Sequence, residues 1–227
     1  GADSGNYSFN TTTTTIGTIL KRFLDISATG VDKVYDGTYD AEVTLSDNRV
    51  AGDSLTTSYG DAFFLNKNAG SNRAIVVLGV DVNGTDAKNY TWLPINATTA
   101  NIAKRVLNIV ASADDKVYDG NTTATVSLSD DRVAGDNLSK SFASADFDNK
   151  NVGTDKTVTV LGINLGGSDA NNYTFNESAT ALADITPREL TISANALDKT
   201  YDGNTSATVI LTDNRVSGDV FGTDFAS

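Results

Sequence analysis

The feature that most constrains this chain is an internal repeat with a period of 83 residues. The triplet Tyr-Asp-Gly occurs at Tyr35–Gly37, Tyr118–Gly120 and Tyr201–Gly203, with the same spacing each time. Residues 21–103 align with residues 104–186 without a gap, and 40 of the 83 positions are identical. A unit of this length is too long for a solenoid repeat and suits a small independent domain.

The repeat predicts four parts in the 227 residues. Residues 21–103 and 104–186 are two complete units, residues 1–20 match the C-terminal part of a preceding unit, and residues 187–227 match the N-terminal half of a further one. We therefore expect a piece of a longer tandem array. The units should follow one another with almost no linker, with Pro187 stiffening the second junction.

Apolar residues alternate with polar ones within each unit, which is typical of β-strands. In the second unit the alternation predicts strands around residues 107–111, 124–128, 138–147, 157–165, 173–175 and 181–185. Asp, Asn and Gly between these segments favour turns, and no segment has a helical period. The sequence therefore predicts an all-β fold of tandem Ig-like antiparallel β-sandwiches with six or seven short strands each. The alternative is a small β-grasp-like domain with one short helix in its Asp-rich middle.

A second pattern refines the Ig-like prediction. The segments at 86–92 and 169–175 place Tyr90 and Tyr173 two residues before Trp92 and Phe175. This arrangement resembles the tyrosine corner of Ig-like domains, with an aromatic ring in the place of the second core cysteine. The alternative interpretation is a strand with alternating aromatic residues.

Composition excludes several functional classes. The chain has no Cys, His or Met, so thiolate zinc sites, imidazole bases and Ser-His-Asp triads are excluded. Its net charge of −12 opposes nucleic acid and anionic membranes, and no apolar run is long enough for membrane insertion. Paired carboxylates could hydrolyse glycosides, but Glu occurs only three times. We predict a non-enzymatic protein with no catalytic, cofactor-binding or metal-ligating residues.

The Tyr-Asp-Gly triplet has two interpretations. Its carboxylates, Asp36, Asp119 and Asp202, could bind a cation or a sugar. Alternatively, each Asp accepts backbone N–H groups in a turn, Gly takes a positive φ and Tyr packs on the sheet. We favour this structural interpretation.

An acidic loop around Arg-Val-x-Gly-Asp also recurs. Its carboxylates are Asp47, Asp53, Asp130, Asp131, Asp136, Asp213 and Asp219. Calcium prefers such oxygen ligands, but the EF-hand spacing is absent. Arg49, Arg132 and Arg215 lie inside the loops and should pair with the carboxylates. We therefore expect a salt-bridged, solvated loop, with calcium as the alternative.

Four smaller features complete the survey. Asn-x-Ser/Thr occurs ten times, for example at Asn121, Asn137 and Asn176, mostly as expected from composition, with glycosylation as the alternative. Thr11–Thr15 reads as the end of a strand rather than a Thr face that binds a surface. The recurring Lys33, Lys116 and Lys199 could form isopeptide links with Asn. The exposed side chains proposed to bind glycan are Tyr39, Tyr59 and Asp61.

Three segments in fixed order carry a family resemblance. They are residues 116–125 (KVYDGNTTAT), residues 148–153 before 157–160, and residues 168–175 (SDANNYTF). Together they resemble the YDG repeat, which is similar to the mostly bacterial Ig-like modules of large exported, filamentous-haemagglutinin-like adhesins. The resemblance covers essentially the whole chain and implies no catalytic residues.

The resemblance implies a stalk or spacer segment of a bacterial cell-surface or secreted adhesin, located outside the cell. Its expected partners are the neighbouring repeats of the same chain. The alternative is that the repeats themselves bind a host or matrix glycan or protein, with calcium as a candidate aid. Tyr39 and Tyr59 become Thr122 and Phe142 in the next unit, which weighs against a repeated binding site.

Overall fold

A computed structural model of the chain describes residues 1–220 and Gly222. Across these residues there is no α-helix, and the helical structure consists of three single 3-10 turns, Ser4–Asn6, Ala87–Asn89 and Ala170–Asn172. The predicted all-β fold is confirmed. The Asp-rich middle of each repeat, where the β-grasp alternative placed a helix, is strand and turn in the described chain.

The described chain divides into two compact units. The first contains Gly1–Lys33 and Thr38–Ile102, and the second contains Val34–Gly37 together with the chain from Ala103 onward. The first Tyr-Asp-Gly motif therefore belongs structurally with the second repeat, although the first repeat contributes its sequence. The predicted four-part division of the sequence stays a prediction.

Ten strands span the first repeat, and most are short. They are β1 (Arg22–Phe23), β2 (Ile26–Gly30), β3 (Lys33–Val34), β4 (Val43–Asp47), β5 (Thr56–Ser58), β6 (Asp61–Phe64), β7 (Gly70–Leu78), β8 (Asp81–Asn83), β9 (Tyr90–Thr91) and β10 (Ala97–Ala103). They form a four-stranded sheet in the order β3-β10-β7-β6 and three two-stranded pairs, β2-β4, β5-β8 and β1-β9.

The second repeat reproduces this arrangement strand for strand. Its elements are β11 (Arg105–Leu107), β12 (Ile109–Ala113), β13 (Lys116–Val117), β14 (Val126–Asp130), β15 (Ser139–Ser141), β16 (Ser144–Phe147), β17 (Gly153–Leu161), β18 (Asn164–Gly166), β19 (Tyr173–Phe175) and β20 (Ser178–Thr186). The four-stranded sheet has the order β13-β20-β17-β16, and the pairs are β12-β14, β15-β18 and β11-β19.

Most strand pairs are antiparallel, as predicted, but some are parallel. Strands β1 and β9, β11 and β19, and β13 and β20 run in the same direction. The strand count of six or seven is wrong, because several turns carry additional strands of two or three residues. The strand predicted at 138–147 is divided into β15 and β16, which pair with different partners, β18 and β17.

The core of each repeat is built from the predicted alternation. Leu107 and Ile109 are buried, as are their equivalents Leu24 and Ile26. The long strands contribute the centre of the core, with Val158 and Val160 fully buried in β17. Such side chains stabilise a fold by about 1.5–3 kcal/mol each when fully buried.

The described residues outside the two repeats contain few strands. Thr11–Thr15 are exposed and form no strand, which contradicts the predicted strand end. The equivalent strand β10 pairs with β7, and residues 1–20 contain no counterpart of β7. At the other end, β21 (Ile192–Ala196) and β22 (Val209–Asp213) form one antiparallel pair equivalent to β2-β4.

Candidate functional site

The Arg-Val-x-Gly-Asp loop that follows β14 is held by one arginine. Arg132 donates from Nε and Nη2 to the two carboxylate oxygens of Asp130 at 2.7 and 2.6 Å, and from Nη1 to the Leu138 carbonyl at 2.9 Å. The predicted ion pairs are confirmed here and in the other two loops, where Arg49 pairs with Asp47 and Arg215 with Asp213. The Asp130 side chain is only 2% exposed, so this part of the loop is buried rather than solvated.

Charge keeps the buried carboxylate ionised. The hydrogen bond from Arg132, supported by Lys140 at 2.5 Å, holds the pKa of Asp130 well below its usual range despite burial. In the third loop the hydrogen bond from Arg215 lowers the pKa of Asp213 to about 2. A bidentate pair of this kind fixes loop geometry as well as charge.

A tight turn completes the loop. The Asp136 N–H donates to the Val133 carbonyl at 3.1 Å, and Gly135 between them has φ 91°. This turn leaves the Val133 N–H and the Asp136 carboxylate available to other partners. Both groups bind tyrosine hydroxyls.

Tyr173 at the start of β19 is the first of these tyrosines. Its hydroxyl accepts from the Val133 N–H at 2.9 Å and donates to Asp136 Oδ2 at 2.5 Å. Tyr173 thus reaches a loop 40 residues upstream, whereas a tyrosine corner bonds the backbone a few residues away. The tyrosine-corner prediction is wrong, and Phe175 is only half-buried, so its ring does not replace a core disulfide.

Tyr35 of the first Tyr-Asp-Gly motif is the second tyrosine. Its hydroxyl donates to both carboxylate oxygens of Asp136 at 3.0 Å, and its ring meets the Tyr173 ring edge-on at a centroid distance of 5.6 Å. Tyr35 is 1% exposed. The prediction that this Tyr packs on the sheet is wrong, because its ring packs in the acidic loop of the following repeat.

Burial and hydrogen bonding shift the acidity of both tyrosines. Burial first, and then the hydrogen bond to Asp136, raise the pKa of Tyr173 to about 12. The same two causes raise the pKa of Tyr35 further. Both hydroxyls therefore stay protonated donors over the physiological range, as two hydrogen bonds to one carboxylate require.

The same contact recurs one repeat later, within the second compact unit. Tyr118 donates to both oxygens of Asp219 at 2.9 Å, and Lys150 pairs with Asp219 at 3.2 Å while lying 5.8 Å from the Tyr118 ring centroid. The hydrogen bond from Tyr118, and then that from Lys150, lower the pKa of Asp219. Two observations of one contact identify it as a property of the repeat.

Tyr118 is half-buried, and a cavity lies beside it. This cavity of about 250 Å³ is lined by Tyr118, Val216 and Asp219, among others. The equivalent residues in the second repeat, Tyr35, Val133 and Asp136, surround Tyr173.

The turn that presents each tyrosine is organised by lysine. Lys116 Nζ donates to Asp119 Oδ1 at 2.9 Å and to the Asn121 and Thr123 carbonyls, while Asp119 accepts the Asn121 N–H at 3.1 Å. The predicted Asx-type turn is therefore confirmed. Lys116 lies within its own turn, so a link to Asn121 would not join strands, and this geometry disfavours the isopeptide staple.

Glycine in the motif is required by a positive φ and by close packing. Gly37 and Gly120 have φ 81° and 82°. A Cβ on Gly37 would lie 2.7 Å from Val133 Cγ1, and one on Gly120 would lie 2.6 Å from Val216 Cγ1. The triplet thus places its tyrosine in the loop and its glycine over the loop valine.

The remaining candidate residues form no common site. Among the described residues, no group of three or more acidic side chains could hold a metal ion. Asp131 instead accepts the Asn108 N–H at 2.8 Å. Of the proposed glycan contacts, Tyr39 is 52% exposed, while Tyr59 is half-buried and its hydroxyl accepts weakly from the Val43 N–H.

Sequence reasoning singled out Tyr35, Asp136 and Tyr173 in separate motifs but did not bring them together. The tyrosine and its acceptor are 101 residues apart, which exceeds one period, so the repeat alone does not show the pairing. The sequence does offer one signal: the tyrosine of the Tyr-Asp-Gly motif and the Asp of the acidic loop both recur with the period of the repeat. The spacing of the acidic loop matches no metal-binding motif, which is compatible with another role for its carboxylates.

The fold and this contact define an all-β repeat protein whose repeated tyrosine is bound by the loop of the next repeat. The family comparison agrees with the motifs: the YDG domain matches residues 21–100 and 103–181. The chain therefore belongs to the YDG domain family. No curated protein and no solved structure matches it. Within the described chain, no helix is long and apolar enough to cross a membrane.

Proposed function

We propose that this chain is a structural spacer segment of a large repetitive protein of the bacterial cell surface or of a secreted adhesin. The observation that carries the proposal is the use of the Tyr-Asp-Gly motif. Tyr35 and Tyr118 bind carboxylates of the following repeat and are not presented to solvent as ligand contacts. We assign the motif to the linkage of neighbouring repeats, and we assign the chain no catalytic role.

The linkage chemistry suits a spacer. A short connection limits independent movement of neighbouring domains, and a side chain held by the next domain limits it further. At the first junction β10 ends at Ala103 and β11 begins at Arg105, and the Tyr35 N–H donates to the Ala103 carbonyl at 2.9 Å. The acidic surface would keep neighbouring arrays from associating.

Small-angle X-ray scattering on chains with increasing numbers of repeats tests the proposed spacer function. The maximum dimension should rise by a constant increment for each repeat added. Tyr-to-Ala substitution in every Tyr-Asp-Gly motif should broaden the distance distribution. A maximum dimension that does not grow with repeat number would contradict the proposal.

A glycan array separates the spacer from a binding module. The spacer function predicts that the purified chain binds no glycan saturably, with or without calcium. Saturable binding that is lost on substitution of Tyr39, which is exposed, would instead assign the ligand-binding function to the repeats.

A further inference from the structure

Tyr35 and Tyr173 form a pair in which both hydroxyl groups meet at one carboxylate. Tyr173 donates to Asp136 Oδ2 at 2.5 Å, and Tyr35 donates to both Asp136 oxygens at 3.0 Å. The Cε carbons on either side of each hydroxyl are therefore gathered around this carboxylate. Because the ring centroids are 5.6 Å apart and the ring planes are inclined at 78°, the edge of one ring lies against the face of the other.

The Cε carbons are the positions at which two tyrosyl radicals combine. Such a carbon forms its new bond through the face of its ring, and the edge-to-face contact presents a face on one ring only. A turn of the other ring about its Cβ–Cγ bond presents the second face. This turn leaves the hydroxyl at Asp136, because the phenol oxygen lies on the axis of rotation.

The surroundings of the pair favour coupling over side reactions. Tyr35 is 1% exposed and Tyr173 is 2% exposed, so dissolved reductants do not reach a radical on either ring. Electrons cross short distances through protein, and the oxidant therefore need not touch the rings. Asp136 accepts the proton that each phenol loses with its electron, and its 9% exposure lets it pass that proton to solvent.

The composition of the chain directs oxidation toward aromatic side chains. Cys and Met, which head the oxidation chemistry of most proteins, are absent, while the chain has eight Tyr and one Trp. Oxidising equivalents that reach this chain therefore end on Tyr or on Trp92. Among the tyrosines, Tyr35 and Tyr173 have a second phenol in ring contact.

We propose that Tyr35 and Tyr173 are a site of oxidative cross-linking, at which a one-electron oxidant, such as a peroxidase acting on hydrogen peroxide, joins them as dityrosine. Each phenol gives one electron to the oxidant and one proton to solvent through Asp136. The two radicals form a Cε–Cε bond, and the hydrogen on each bonded carbon then moves to its phenol oxygen. One hydrogen peroxide takes up the two electrons and two protons and becomes two waters.

The cross-link joins the Tyr-Asp-Gly motif covalently to the repeat that follows it. It turns a hydrogen-bonded contact into one that persists when the chain is unfolded. The inference rests on the contact of Tyr35 with Tyr173 and does not depend on the spacer function.

Oxidation of the full chain at low protein concentration tests the cross-link. The probe is tris(bipyridyl)ruthenium with persulfate under light, which generates a one-electron oxidant. The monomer is then separated from oligomers, because exposed tyrosines such as Tyr7 and Tyr201 join different copies. Peptide mass spectrometry of the monomer should find Tyr35 linked to Tyr173 with the loss of two hydrogens, together with the blue fluorescence of dityrosine.

Two substitutions and a matched control assign the signal. Tyr35→Phe and Tyr173→Phe each keep a ring and should abolish the monomer's dityrosine fluorescence, whereas Tyr201→Phe should retain it. Unmodified chain unfolded in urea should form the Tyr35–Tyr173 link about tenfold less, because the rings are no longer held together. The proposal is overturned if the folded chain is oxidised at exposed tyrosines without this link, or if the unfolded chain forms the link equally well.

Discussion

Asp136 is the residue on which the contact depends, because its carboxylate accepts two tyrosine hydroxyls at once. It is 9% exposed, and Tyr35 and Tyr173 around it are 1% and 2% exposed. A buried acceptor that loses a donor loses more than an exposed one, since water does not replace the missing bond. Single-atom changes here should therefore affect stability measurably.

Removal of the Tyr35 hydroxyl tests how much its hydrogen bonds to Asp136 contribute to stability. Tyr35→Phe should lower the free energy of unfolding by about 1–3 kcal/mol, because it leaves the ring in place and removes the hydrogen bonds to Asp136. Tyr201→Phe is the matched control and should have no effect, since Tyr201 is 94% exposed. Urea denaturation measures both. Equal effects of the two substitutions would refute the role given to the Tyr35 hydroxyl.

The shifted pKa values predict how stability depends on pH. Tyr173, with a folded pKa of about 12, and Tyr35, also raised, hold their protons where the unfolded chain has lost them. Stability from the tyrosines is therefore complete below pH 10 and declines as the pH rises through their folded values. Asp213, lowered to about 2, and Asp130 act in the opposite direction, losing their contribution as the pH falls below about 4.

Thermal unfolding between pH 2 and 12 measures this dependence, and absorbance at alkaline pH reports tyrosine ionisation directly. Tyr35 and Tyr173 should ionise only as the fold is lost. Ionisation of these two hydroxyls near pH 10, in the folded protein, would be inconsistent with their burial.

At the scale of elements, the Tyr-Asp-Gly turn joins local conformation to a contact far away in sequence. Lysine and the Asp side chain form the turn, glycine permits its positive φ, and the resulting loop presents the tyrosine. The Gly37 and Gly203 turns have nearly the same φ, 81° and 76°, but only Gly37 has a neighbour, Val133. Comparison of Gly37 with Gly203 therefore separates the energetic cost of a positive φ from the cost of a steric clash with the loop.

Substitution of these glycines by alanine measures the two effects. Gly203→Ala should cost about 1 kcal/mol, because it introduces only the strain of a positive φ. Gly37→Ala should cost more, since its Cβ would also approach Val133 Cγ1 to 2.7 Å and displace the turn. Chemical denaturation gives the difference. A cost for Gly37→Ala no greater than that for Gly203→Ala would show that Gly37 does not pack against the loop.

The sequence predicted the strands well and their pairing less well. Alternation located the core at Leu107, Ile109, Val158 and Val160 because one buried face imposes a period of two. It missed the short parallel pairs such as β11-β19, because two or three residues are too few to show a period. The site was missed for another reason. A hydrogen bond between Tyr35 and Asp136 depends on tertiary structure, and no local pattern encodes it.

At the scale of the whole molecule, the same loop exists in an occupied and an open form. Asp136 accepts Tyr35 and Tyr173, whereas Asp53, within the described chain, accepts Tyr90 alone. Equivalent substitutions in the two loops therefore isolate the contribution that a neighbouring repeat's tyrosine makes.

Alanine at these two positions should have unequal effects. Asp136→Ala leaves two buried hydroxyls without their acceptor and should destabilise the chain by about 2–4 kcal/mol, while Asp53→Ala should cost about half as much. Calorimetry resolves the two if the compact units unfold separately, and hydrogen exchange of the core amides of β7 and β17 resolves them otherwise. A larger cost at Asp53 would contradict the assignment.

The central claim is that the Tyr-Asp-Gly tyrosine is bound by the loop of the following repeat, and a double-mutant cycle between Tyr35 and Asp136 tests it most directly. Tyr35→Phe, Asp136→Ala and the double variant are compared with the unmodified chain by urea denaturation. Both single substitutions remove the hydrogen bonds between Tyr35 and Asp136, and the loss of the Tyr173 bond on substitution of Asp136 cancels in the cycle, so the account predicts a coupling energy of about 1–3 kcal/mol. Additive effects, with a coupling energy near zero, would contradict it.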